Sequence, residues 1–148
     1  MFALDLLREF LLAAVATLGF GLLFNVPRRA LFPCCLAGGA GRLVRLIAVS
    51  LGASAVGGSY LGALAVGLLG YVLARAYRMP RMVFTVTGVI PMIPGVPAFG
   101  TLLELAAGNV DTGLHNAVDT VLIGGALAMG LTTVRVISRM PTPAPNDL

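Results

Sequence analysis

The stretch "VIPMIPGVPAFG", residues 89–100, sets Pro91, Pro94 and Pro97 three residues apart, with Gly95 among them, inside a long apolar run. Each proline removes a backbone donor and crowds the carbonyl four residues earlier, so the run cannot continue as one smooth helix. The period of three matches polyproline II, which would align the three rings on one side. Beyond the break a helix is expected to restart near Ala98, presenting free N–H groups and a positive dipole end suited to a carboxylate. What such a break means depends on the solvent around it.

Composition answers that question. The 148 residues are 58% hydrophobic and 11% charged, too apolar for an ordinary soluble core of this size. Five apolar stretches, each close to the roughly 20 residues a helix needs to cross the hydrocarbon, are separated by short charged or Gly/Pro turns. They run from Phe10 to Val26, Leu31 to Leu51, Gly52 to Ala74, Val83 to Ala107 and His115 to Ile137. The first reads as a retained span rather than a signal peptide. Asp5 and Glu9 accompany Arg8 ahead of it, and "FNVPRR" follows with no small-residue cleavage pattern. The fold class is therefore an all-α integral membrane protein of about five transmembrane helices, the fourth broken by the Pro/Gly motif. Residues 1–140 form its one domain and residues 141–148 a short tail.

All ten basic residues are arginine, and they choose an orientation. One side of a five-span chain receives Arg28, Arg29, Arg75, Arg78, Arg81, Arg135 and Arg139. The other receives Arg8 with Asp5, Glu9 and Asp111. The positive-inside rule makes the first side cytoplasmic, so the N-terminus is expected outside and the "MPTPAPNDL" tail inside. Because these arginines lie between apolar runs rather than in one solvated patch, no nucleic-acid partner is expected.

Polar groups within the spans are the candidate functional residues, since a charge in the bilayer faces protein, water or a ligand. Arg42 and Arg45, at i and i+3 after the glycine-rich "AGGAG" of residues 37–41, either clamp a carboxylate by bidentate hydrogen bonds or snorkel and pair structurally. Glu104 and Asp119 are candidates for proton coupling, or else structural partners of those arginines. His115 reads as interfacial. The break itself, Pro91, Pro94 and Gly95, is either a discontinuous-helix substrate site or a proline-kinked packing element. In the third span Ala55, Ser59, Ala63 and Gly67 recur at i+4, with Gly58 and Gly62 on the next stripe and Gly70 beyond. Gly58, Gly62, Ala63 and Gly67 are assigned to close helix packing, including assembly with a partner chain.

Other chemistries find no residues to carry them. No His/Cys/Asp/Glu set has metal-ligand spacing, and no nucleophile elbow, HExxH or Gly-Lys phosphate loop occurs. Neither catalytic residues nor a metal or other cofactor is expected. Adjacent Cys34 and Cys35 read as packing thiols.

"FNVPRRAL" (residues 24–31) and "VFTVTGVIPMIPGVPAF" (residues 83–99), within five spans, resemble the small YjjB-like subunit of the threonine/serine exporter family. The resemblance implies half of a secondary exporter in the bacterial inner membrane. Its partner would be a separate YjjP-like subunit, and higher oligomers of the pair stay open. The implied cargo is threonine and serine, or succinate and related dicarboxylates. Arg45 falls where the resemblance implies a basic residue in the second span, whereas Arg42, Glu104 and Asp119 match no family pattern. The alternative is a membrane scaffold that stabilises a partner without transporting anything.

Overall fold

Four helices long and apolar enough to span a membrane, and a bent pair of helices meeting at 47° that together make a fifth candidate span, form the architecture of the computed structural model, which describes residues 2–138. The helices are α1 (Phe2–Leu23), α2 (Arg28–Ser50), α3 (Ala55–Tyr77), α4 (Arg81–Val89), α5 (Gly95–Ala106) and α6 (Val110–Ile137), with a 3-10 turn at Ile90–Met92 between α4 and α5. No strand occurs among the described residues. The expected tail and Arg139 lie outside them. Leu12, Val15, Phe32, Val121 and Met129 all point outward, more than half exposed. Such a surface would be untenable in water and is ordinary in lipid. The chain is an all-α membrane protein.

Four of the tight turns are closed in the same way. Asn25, Gly52, Arg78 and Gly108 each adopt a positive φ just past a helix end. The next amide then reaches back five residues: Val26 to Gly21, Ala53 to Ala48, Met79 to Ala74 and Asn109 to Glu104, at 2.9–3.1 Å. This is the Schellman closure, which satisfies carbonyls a helix end otherwise leaves orphaned. Gly52 thus belongs to the α2–α3 turn and not to the third span, which begins at Ala55 behind an Ser54 cap whose Oγ accepts from the Gly57 amide at 3.1 Å. Two of the turns share one local sequence plan, "FNVPR" and "YRMPR", in which a proline starts the following helix. Val26 and Met79 from these turns pack on one apolar cluster formed by Ala30, Cys34, Ala74 and Phe84. The twin turns therefore sit side by side at the arginine-rich end.

Helix α3 is the hub, packed on α2, α4 and α6, while α1 leans on α2, and α5 on α6. Lipid offers no hydrophobic drive between helices, so close backbone approach has to supply the attraction. The two small-residue stripes of α3 serve two neighbours. A side chain at Gly67 would meet Val134 of α6 at 2.9 Å, and one at Gly130 of α6 would meet Cβ of Ala63 and the Tyr60 carbonyl at 2.7 Å. On the other stripe, a Cβ at Gly58 would lie 2.7 Å from Val49, and one at Gly62 would lie 2.8 Å from the Gly41 carbonyl, both on α2. These glycines hold the chain itself together. The surface expected to seat a partner subunit is occupied by the chain's own α2.

Helix starts also differ from expectation. Helix α1 begins at Phe2, so Asp5, Arg8 and Glu9 are helical, and α6 begins at Val110, which puts Asp119 more than two turns inside it rather than one.

Candidate functional site

The break is more compact than polyproline II. Pro91 lies within the 3-10 turn, Pro94 stands at the head of α5 with ψ of 62°, and Pro97 is already in its first turn. The three rings therefore do not share a face, and α5 restarts at Gly95, three residues before Ala98. The physical reason is local satisfaction of the carbonyls that the prolines leave without a donor. The Ile93 amide turns back to the Ile90 carbonyl at 3.1 Å and the Gly95 amide to the Ile93 carbonyl at 2.8 Å. A polyproline segment would have left both without partners.

One carbonyl of the break is satisfied from another helix. Arg45 of α2 donates from Nη1 to the Met92 carbonyl at 3.2 Å. The Met92 side chain is fully buried among Ala63, Val66, Ile123 and Leu127. Glycine makes its slot: a Cβ at Gly62 would come within 2.7 Å of Met92 Sδ, and one at Gly41 within 3.1 Å of Met92 Cε. The stem of Arg45 uses the same bare stripe, with its Cβ 3.2 Å from the position a Gly62 side chain would take. Met92 is thus pinned twice, by its side chain in the glycine slot and by its carbonyl on a cation. Sequence reasoning missed Met92. The legible signal was its place between two prolines opposite a GxxxG helix, but nothing in the spacing says which residue of the break turns inward.

The second arginine behaves differently. Arg42 donates from Nε and Nη2 to the same Oε2 of Glu9 on α1, both at 2.8 Å. Its expected partners were Glu104 or Asp119. Glu104 instead accepts from the Asn109 side chain at 2.9 Å, in the α5–α6 turn, and Asp119 stands exposed on α6. Neither acid is joined to Arg42 or Arg45 by a hydrogen bond or ion pair. Glu9 reaches Arg42 because α1 is helical from Phe2 and runs against α2, a register that the apolar pattern alone does not fix. Among the described residues no acid lies within ion-pair distance of Arg45.

The arrangement is thus a half-buried cation fastened to a helix break, with a neutralised arginine one turn away. Pro94 is buried beneath it and Pro91 half-buried, whereas Gly95 faces outward with nothing within 4 Å of where a side chain would start. A guanidinium carries five donors in a fixed fork, so the bond to Met92 leaves most of them for an anionic group. His115 is exposed near the start of α6. Cys34 is buried with Sγ 3.5 Å from the Val83 carbonyl, and both cysteines are free thiols. The described residues contain no group of side chains able to hold a metal ion.

A multi-pass bundle with a broken span and a cation at the break is the build of a membrane transporter. The family model described as Threonine/Serine exporter, ThrE, matches residues 9–137, from within α1 to the end of α6 and including the break. The chain belongs to the threonine/serine exporter family. No solved structure matches it.

Proposed function

We propose that the chain is one half of a two-component secondary exporter of small carboxylate-bearing metabolites, threonine and serine or succinate-like dicarboxylates. Arg45 binds the carboxylate at the break in the α4–α5 span. The observation that carries this reading is the Arg45–Met92 contact, which holds a cation without an acid partner against irregular backbone inside the bundle. A charge there costs several kcal/mol to keep from water, and an anionic cargo is the group that offsets it. Gly95 and Val96, both exposed, leave the start of α5 uncovered by this chain's described residues. Arg42, neutralised by Glu9, adds no free charge of its own.

The partner half is a YjjP-like membrane subunit. Its need is supported by Asp119, an exposed carboxylate about 14 Å along α6, where neither lipid nor any described residue of this chain gives it a counterpart. Glu104 and Asp119 remain the groups that would couple cargo to protons. The protein sits in the bacterial inner membrane with the N-terminus outside and the arginine-rich end in the cytoplasm. Arg81 donating to Ser138 at 2.7 Å, and the shared cluster of the twin turns, support the gathering of those arginines at one end.

A scaffold without transport is the second reading, favoured by the structural use of Arg45 as a staple on the break. Export of threonine, serine and succinate from cells expressing the partner, with and without this chain, separates the two. The exporter reading expects efflux only when both are present. Unchanged efflux without this chain, with the partner still in the membrane, supports the scaffold.

A further inference from the structure

Away from the break, at the arginine-rich end, α4 rests on α2 and α3 while α6 rests on α3 and α5, which leaves a cleft between α4 and α6. Its volume is about 490 Å³, and Gly67 of α3 and Val134 of α6, packed against each other, are among its lining. Arg81 and Arg135 face each other across it with Thr85 and Thr132, and Val86 and Leu131 form apolar sides. Among the described residues no acidic one lines it. The Arg81 guanidinium is held over the Tyr71 ring at 4.6 Å and donates to Ser138, so this cation is placed in advance. Arg135 is exposed and has no ion-pair partner among the described residues. Thr132 also borders an apolar groove that passes along the outer side of α6 by Met129, Val136 and Ile137.

We propose that this cleft is a binding site for an anionic phospholipid, its phosphate held by Arg81 and Arg135 and one acyl chain lying in the α6 groove. Two cations and hydroxyls without an acid select a simple anion over a zwitterion, which would leave an ammonium unmatched. Basic residues at the ends of spans sit at headgroup height, where each contributes attraction to anionic lipid. The apolar groove leading from the cleft distinguishes a lipid from a free phosphate or carboxylate, which would need only the cations. The site is separate from Arg45 and does not depend on the transport reading.

The test is retention of phosphatidylglycerol against phosphatidylcholine by the full chain purified in mixed micelles, read by native mass spectrometry. The wild type is expected to keep phosphatidylglycerol preferentially, and Arg135→Gln to weaken that preference about fivefold, the effect of one interfacial arginine. Arg135→Lys is expected to retain it. Arg135 is exposed, so its variants stay informative even if Arg81→Gln proves unstable. Inorganic phosphate and succinate, added in excess, are expected not to displace the lipid. Equal retention of the two lipids, an unchanged preference in Arg135→Gln, or displacement by either small anion overturns the proposal. So does loss of phosphatidylglycerol when the partner subunit binds, which would put a protein in the cleft.

Discussion

Single glycines in this chain differ in what they tolerate, and the difference follows from what a Cβ would meet. At Gly62 it would collide with Met92 Sδ and the Gly41 carbonyl at under 3 Å, and backbone cannot give way as a flexible side chain can. Gly62→Leu is therefore expected to destabilise the chain itself by about 1–3 kcal/mol or more, seen as lost folded protein in detergent whether or not a partner is present. Gly95→Ala is the counterpart. It meets nothing within 4 Å at the first position of α5 and has an ordinary backbone, so folded yield and melting temperature should hold or rise slightly. Equal damage from both substitutions would show that the glycine slot around Met92 is not the determinant. The Glu9–Arg42 pair is about one-third exposed, and a double-mutant cycle with Glu9→Gln and Arg42→Gln should return a coupling of roughly 0.2–1 kcal/mol. A coupling of zero in thermal unfolding would remove the pair from the account.

The elements were legible where chemistry is local and illegible where it depends on a partner helix. Proline spacing announced that the fourth span is interrupted, and the 47° bend at Ile93–Pro94, just after the 3-10 turn, is that interruption. Its form was misread, because the sequence does not say that the Ile93 and Gly95 amides would turn back to satisfy freed carbonyls. The glycines of α3 announced close packing, yet periodicity cannot assign a stripe to one neighbour rather than another. Gly58 and Gly62, assigned to helix packing including assembly with a partner chain, meet α2 of this chain. Glu9 escaped notice as the partner of Arg42 since it precedes the apolar run and looked like a flank. Replacing both Pro91 and Pro94 with Ala tests the element directly. Amides restored at positions 91 and 94 can bond the Thr87 and Ile90 carbonyls, so the helix should run on, and the Val96 amide would then compete with Arg45 for the Met92 carbonyl. Expression and melting temperature should then persist while export falls, and wild-type export by the double variant would leave the break as a packing device.

At the scale of the whole molecule, α3 joins two functions of the bundle: one stripe fixes α6, and the other makes room for Arg45 and Met92. The arginine asymmetry adds a direction. Topology reporters fused before Met1 and after Leu148 are expected to read outside and cytoplasmic respectively, and both ends on one side would mean that α4 and α5 re-enter the membrane instead of spanning it. The account as a whole turns on the cation at the break. Arg45→Gln removes the charge, and its amide nitrogen reaches only the level of Nε, two bonds short of the Nη1 that meets Met92, so the Met92 side chain in the glycine slot is left to hold the break while the carboxylate site is lost. The decisive measurement is the efflux rate of threonine, serine and succinate in cells carrying Arg45→Gln, normalised to the amount of folded protein in the membrane. The account predicts a loss of at least about tenfold, the difference of roughly 1.4 kcal/mol expected for losing a charged hydrogen bond to cargo. Wild-type efflux per folded molecule would contradict it and reduce Arg45 to a staple on Met92.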